Sequence, residues 1–256
     1  MLAKLKSAIG TVDDLLLNKS VRRFYYRNKL SQLAAGLEFR FDVHYRKNNA
    51  DLLSLLCDQH GSDKGEARAG DHPYPWPAHT YADYYSRLYS HCRASVKRVF
   101  ECGLGTNNPS LQSSMGAHGR PGASLRVWRD YFPNAVVYGA DIDRAVLFTE
   151  ERITTYYIDQ LDPRAIGEYW RQVGAVDFDF MIDDGLHTLE AGTCLFTHSI
   201  AQLAPNGIYV IEDVVPADLL GYRKFFASTD YLVDYVTMFR PNVLIGGNSL
   251  VVVRRR

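Results

Sequence analysis

What this chain lacks narrows its class early. Among its 256 residues there are only four cysteines, Cys57, Cys92, Cys102 and Cys194, widely spaced and without a CxxC pair. That leaves no thiolate metal cluster and favours reduced, mostly buried thiols, as in a cytoplasmic protein. No apolar run approaches membrane-spanning length, and the first residues, Met1 to Lys6, lack the apolar core and cleavage site of a secretory signal. The expectation is a soluble intracellular protein with no membrane insertion. Net charge is missing too, because 29 basic and 29 acidic residues cancel. No global field then favours nucleic acid or an anionic surface, and a small neutral substrate fits better than a polyanion. Internal repeats and low-complexity segments are also absent.

What is present reads as three segments. Residues 1–60 carry apolar residues at helical spacing, from Leu5, Ile9 and Val12 to Leu52, Leu53, Leu55 and Leu56, and are expected to form a helical N-terminal appendage. Residues 61–95 are rich in Gly, Pro, His and aromatics, which predicts an irregular covering segment and then a short helix near 81–90. From residue 96 to 256, short β-branched runs alternate with helical patterns, the mark of an α/β fold. Strands are expected near 97–102, 135–141, 153–157, 176–183, 207–212, 232–238 and 248–254, and helices near 122–131, 163–173, 188–203 and 217–228. With no helix between them, the last two strands should form an antiparallel hairpin on a seven-stranded, Rossmann-like sheet.

Chemistry concentrates at the strand ends. Glu101-Cys102-Gly103-Leu104-Gly105-Thr106 breaks the first strand into a glycine turn that lets backbone approach a cofactor. Asn108 stands where a dinucleotide fingerprint has its third glycine, which counts against a nicotinamide cofactor. Residues 107–121 form an insertion above the crevice with the character of a flap. Asp141 and Asp143 end the next strand, where a carboxylate can hold a ribose diol, and Asp159-Gln160 follow the third, within reach of an adenine amino group.

Asp183-Asp184 with His187, and Glu212-Asp213 one strand over, gather acids that a hard cation such as Mg²⁺ would neutralise. Asp183 should point away from Asp184, since neighbours on a strand face opposite sides. His187 has the titration range of a general base. Trp76, His79, Tyr81, Tyr84 and Tyr85 either line a pocket or pack as core. Lys64 either reaches a cofactor carboxylate or stays in solvent.

Together, Glu101 to Thr106, Gly122 to Phe132, Tyr138 to Asp143, Ile182 to His187 and Ile208 to Asp213 resemble the class I S-adenosylmethionine-dependent sugar O-methyltransferases. The chain resembles the metal-dependent macrolide deoxysugar enzymes among them, and Gly61 to Gly65 also matches a segment that precedes their fold. The resemblance implies Mg²⁺ held by Asp184, Glu212 and Asp213, with His187 and Asp184 catalytic. It also implies cofactor contacts from Glu101, Gly103, Gly105, Thr106, Asp141, Asp143, Asp159, Gln160, Ser62 and Lys64. The 107–121 insertion and the short helical N-terminus depart from the macrolide enzymes. They leave room for a compact relative acting on an oligosaccharide, with the mycobacterial methylmannose polysaccharide methyltransferases as one comparison. Two rivals stand beside this reading, a nicotinamide-dependent oxidoreductase and a non-catalytic binding protein on the same fold. A homodimer is expected through the apolar N-terminal helices or the aromatic run Tyr231 to Phe239.

Overall fold

The computed structural model describes residues 28–29, 31–33, 35, 42–68, 70, 72–240, 243, 245 and 247–256. The chain divides into two compact units, Met1–Val43 and His44–Arg256. The helices expected before residue 43 lie almost wholly outside the described residues.

In the second unit eight strands alternate with helices. They are β1 (Arg98–Cys102), β2 (Val136–Asp141), β3 (Thr149–Glu150), β4 (Ile153–Tyr157), β5 (Phe178–Asp183), β6 (Leu203–Ile211), β7 (Tyr231–Thr237) and β8 (Ser249–Arg255). The helices are α1 (Leu52–His60), α2 (Tyr81–Tyr89), α3 (Ala123–Tyr131), α4 (Pro163–Val173), α5 (Leu189–Ser199) and α6 (Pro216–Phe226). The strand order is β3-β4-β2-β1-β5-β6-β8-β7. β4, β2, β1, β5 and β6 run parallel, and β8 is antiparallel to both of its neighbours.

Two details differ from the sequence reading. The sheet has eight strands rather than seven, because Thr149–Glu150 adds a two-residue antiparallel margin to β4. A segment that short carries no periodicity to read. The expected hairpin of β7 and β8 forms, but β8 is inserted next to β6 and leaves β7 at the edge.

The strands sort their side chains by alternation. Val99, Val137, Phe180, Ile182, Val210 and Val252 pack under α1, α2 and α3, against Leu53, Tyr85, Trp128 and Phe132. Phe100, one position on from Val99, meets Tyr169 and Trp170 of α4 at ring-centroid distances of 5.3 and 4.8 Å. Each such side chain, wholly removed from water, contributes about 1.5–3 kcal/mol. α1 is started by Asp51, whose Oδ2 accepts the Ser54 N–H at 3.0 Å, a cap worth about 1 kcal/mol. This helix lies within the second unit, with Leu53, Leu56 and Cys57 in its core. The compact unit therefore starts well before residue 61, because the α1 face needs the sheet to cover it.

The chain runs outward from β1 through β2 to β4, then returns to place β5 on the other side of β1. That reversal opens a crevice at the carboxyl ends of β1 and β5, where open α/β sheets bind ligands.

Candidate active site

The glycine turn is built by its neighbours. Gly103 has φ 95°, and a Cβ there would fall inside 3.0 Å of the Asp184 carbonyl. The sequence reads this glycine as making room for a cofactor, but its backbone is also required by the adjoining strand end. Asp141 locks the turn: its Oδ2 accepts the Leu104 N–H at 2.7 Å and its Oδ1 the Asp143 N–H at 2.8 Å. Burial pushes the Asp141 carboxyl up, and these backbone donors oppose the shift. Asp143 accepts from Thr106 Oγ1 at 2.5 Å and from the Ala145 N–H at 3.0 Å. Thr106 holds Asp143 below its usual range. Gly103, Gly105, Thr106, Asp141 and Asp143 thus lie together. The 107–121 insertion is tied back to them past its middle and just after its end, by Met115 N–H to Thr106 O at 2.8 Å and Gly122 N–H to Leu104 O at 2.7 Å.

Beside the turn, the ends of β1, β5 and β6 stay in step past the regular strands. The Asp184 N–H donates to Cys102 O at 2.8 Å and the Glu212 N–H to Asp183 O at 2.9 Å. The acids from these ends form two tiers. Glu101 and Glu212 are buried, with side chains 0% exposed, whereas Asp184, Asp213 and His187 open to the crevice at 23%, 24% and 33%.

Lys64 reaches the buried tier. α1 ends at Gly61, and Asp63 then anchors the loop by accepting Trp76 Nε1–H at 2.6 Å and, on its carbonyl, the His79 N–H at 2.8 Å. Gly65 lies where any Cβ would collide with Ala82 of α2, and the Lys64 carbonyl accepts the Ala82 N–H at 2.9 Å. The Lys64 ammonium is thereby delivered to Asp184 Oδ2 at 2.7 Å, to Glu101 Oε1 at 3.3 Å and to Glu212 Oε2. Burial works against its charge, but the three carboxylates outweigh it and hold Lys64 well above its ordinary range. Burial raises Glu101 and Glu212 despite the lysine. Asp184 is driven well below the usual carboxylate range, because Lys64 and His187 overcome its burial.

Several of the residues expected to contact the cofactor have partners within the protein. Glu101, expected on the cofactor, accepts from Ser124 Oγ at 2.6 Å and from the Trp128 indole N–H, besides facing Lys64. It is buried, with its partners on α3 and the lysine, as a carboxylate on the inward face of a central strand requires. Gln160, expected on an adenine group, is likewise buried and bonded at both ends of its amide: Nε2 donates to Asp183 Oδ1 at 2.6 Å, and Oε1 accepts the Leu186 N–H at 2.9 Å. It is a strut for the loop after β5. Asp183 does point away from Asp184, as alternation requires, and burial pushes it up to about 6. Asp159 caps the following turn by accepting the Leu161 N–H at 2.9 Å, and Ser62 is buried beside Lys64. Lys64 meets carboxylates of the protein rather than solvent.

The open tier suits a divalent cation. Asp184, His187 and Asp213 each offer one ligand atom, and these atoms lie within 4.8 Å of one another. Two carboxylates are hard oxygen donors of the kind Mg²⁺ prefers. Glu212, expected in this set, is held by Lys64 and by the Tyr85 hydroxyl at 2.5 Å. His187 Nε2 is 3.2 Å from Asp184 Oδ1, and Nδ1 is 3.8 Å from Asp213 Oδ2. Desolvation opposes protonation of the ring, but Asp213 and Asp184 prevail and push His187 up to about 10. His187 and Asp213 both have left-handed backbones, φ 55° and 54°. Such strain persists only where its surroundings enforce it.

For Asp213 the enforcing residue is Tyr81, which sequence reasoning left between pocket and core. Its hydroxyl accepts the Asp213 N–H at 3.2 Å, with Asp213 Oδ1 at 2.6 Å and Gly247 O at 2.8 Å as acceptors. Tyr81 and Tyr85 are one helical turn apart on α2, so one face carries both hydroxyls to Asp213 and Glu212. The four-residue spacing was the available signal, and the rings serve core and site at once.

No protein-family model matches the chain. The 8-demethyl-8-alpha-L-rhamnosyl tetracenomycin-C 2'-O-methyltransferase of Streptomyces olivaceus is 32% identical over 162 residues, covering 63% of this chain and 37% of that one. The L-olivosyl-oleandolide 3-O-methyltransferase of Streptomyces antibioticus is 32% identical over 183 residues, covering 70% and 42%. The chain therefore spans about four-tenths of the length of these curated relatives. Among solved structures, the MycE methyltransferase of the mycinamycin biosynthetic pathway, in complex with Mg and SAH, matches with a TM-score of 0.56 and 26% identity. That match covers 82% of this chain and 56% of that one. By sequence and by fold together, the chain is a homologue of the class I sugar O-methyltransferases.

Proposed function

We propose that this chain transfers the methyl group of S-adenosylmethionine to a hydroxyl of a sugar or oligosaccharide, with Mg²⁺ held by Asp184 and Asp213, and by Glu212 where the cation takes it from Lys64, and with His187 as general base. The observation that carries this reading is the convergence of Asp184, His187 and Asp213 within 4.8 Å, beside a glycine turn at the sheet's reversal point. When bound, the sulfonium supplies an activated methyl, and the divalent cation acidifies and orients vicinal hydroxyls.

The remaining work falls to the chain's own residues. Gly103, Gly105, Thr106, Asp141 and Asp143 shape the cofactor side, with Asp159 and Ser62 at its margins. His187 Nε2–H donates to Asp184 Oδ1, which orients the ring and leaves Nδ1 to receive the acceptor proton. As the oxygen–methyl bond forms and the sulfur–methyl bond breaks, the hydroxyl proton passes to Nδ1. The carboxylates that now hold His187 protonated are those a cation would engage, and with them engaged the imidazole is free to act as a base.

The test is calorimetric titration with S-adenosylhomocysteine, with and without Mg²⁺, followed by a methyl-transfer screen of neutral sugars, deoxysugars and mannosides. Cofactor binding with Mg²⁺-dependent methylation of one glycan supports the reading. Absence of both cofactor binding and Mg²⁺ dependence overturns it. The four free thiols support action in the cytoplasm, and among the described residues no helix is long and apolar enough to cross a membrane. The edge strand β7 supports a homodimer, to be checked by light scattering.

A further inference from the structure

Neither the glycine turn nor the open set of Asp184, His187 and Asp213 accounts for a buried ammonium at the centre of the site. The Lys64 side chain is 3% exposed and sits among three carboxylates from three strand ends, Glu101 of β1, Asp184 after β5 and Glu212 after β6. Resting on the function proposed above, we infer that Lys64 is a positioning residue that acts as a built-in counter-cation. It gathers Glu101, Asp184 and Glu212 when no divalent cation is bound, and it competes with that cation for Asp184 and Glu212.

Three observations carry this. First, three carboxylates brought to one point in a water-poor site repel one another and are costly to desolvate unless a cation lies among them. Lys64 is the cation the chain supplies. Second, the lysine has little freedom to withdraw. Its carbonyl is bound by Ala82, Asp63 before it holds Trp76 and His79, and Gly65 after it is pressed against Ala82. Third, Asp184 joins the two tiers, giving Oδ2 to Lys64 at 2.7 Å and Oδ1 to His187 at 3.2 Å. A cation arriving at the open tier therefore shares Asp184 with an ammonium already in place. The lysine keeps the acids spaced for binding and weakens that binding at the same time.

The experiment compares the wild-type chain, Lys64→Met and Lys64→Met/Glu212→Gln, without cofactor or acceptor, by thermal unfolding in chelator and by calorimetric titration with MgCl₂. Without metal, Lys64→Met should unfold several degrees lower, and the added Glu212→Gln should recover at least half of that loss by removing a carboxylate left without its partner. Mg²⁺ should bind Lys64→Met at least about tenfold more tightly than wild type, because a nearby positive charge is gone. A lysine that only supports the fold predicts the opposite, weaker Mg²⁺ binding in the variant.

Unchanged or weaker Mg²⁺ affinity in a folded Lys64→Met protein overturns the inference, as does failure of Glu212→Gln to restore stability. If Lys64→Met folds only when Mg²⁺ is present, the counter-cation role is supported directly. Failure of the proposed function appears differently, as absence of Mg²⁺ and S-adenosylhomocysteine binding in wild type itself. The unfolding comparison in chelator then still decides the role of Lys64.

Discussion

Replacing Gly103 with alanine should do more damage than its small size implies, and a second glycine provides the control. At Gly103 the new Cβ meets three backbone atoms inside 3.0 Å, Asp184 O and C and Gly185 Cα, in a residue with φ 95°. At Gly116 the φ is similar, 75°, but no atom lies within 4 Å of the added carbon. Both variants pay the left-handed strain of about 1–2 kcal/mol. Only Gly103→Ala also pays for overpacking against backbone that cannot rotate aside, a further 1–3 kcal/mol or so. At roughly 2–4 °C per kcal/mol for a domain of this size, Gly116→Ala should lower Tm by about 2–8 °C and Gly103→Ala by about twice that. The clash also pushes Asp184; in the catalytic role proposed for it, a displacement near 1 Å costs on the order of 100-fold in rate. Differential scanning calorimetry of the two variants, with turnover measured on any acceptor found, decides the matter. Equal Tm losses in the two would show that the Asp184 carbonyl does not require this glycine, and the packing argument would be wrong.

Other perturbations probe the site separately. His187→Ala should lower turnover by about 10²-fold or more while leaving S-adenosylhomocysteine affinity within about twofold; calorimetric loss of cofactor binding would contradict the role given to the ring. Tyr81→Phe removes the hydroxyl that holds Asp213 and should weaken Mg²⁺ binding by about 10–100-fold, so unchanged affinity would refute its supporting role. Asp183 has a folded pKa raised to about 6, so the native state binds the extra proton and stability falls as pH rises from about 4 through about 6. Asp183→Asn should flatten that slope and gain up to about 3 kcal/mol on wild type between pH 4 and pH 8; a wild-type-minus-variant difference in urea unfolding that is the same at both pH values would sink this assignment.

The sheet was readable because most of its strands are short runs of β-branched or aromatic residues that end at acidic or turn residues. Thr149–Glu150 escaped because two residues carry no period. The placement of β8 beside β6 escaped because local pattern does not encode which strand pairs with which. At the site, the acidic ends of β2, β5 and β6 were visible as charges terminating apolar runs. The partners that Glu101 and Gln160 find inside the protein, Trp128, Ser124 and Asp183, were not legible, since they come from distant segments.

The sequence by itself determined the fold class, the crevice and the group of residues from which a site could be made, because periodicity and strand-end chemistry are local properties. Tertiary structure alone decided how those residues divide the work. Lys64 and Glu212 are 148 positions apart in the chain, Tyr81 and Asp213 are 132 apart, and no local pattern links such pairs. Only the packing of α2 and the 61–65 loop over the strand ends brings an ammonium and two tyrosine hydroxyls to the acids. That packing separates a buried tier held by the lysine from an open tier left for a cation.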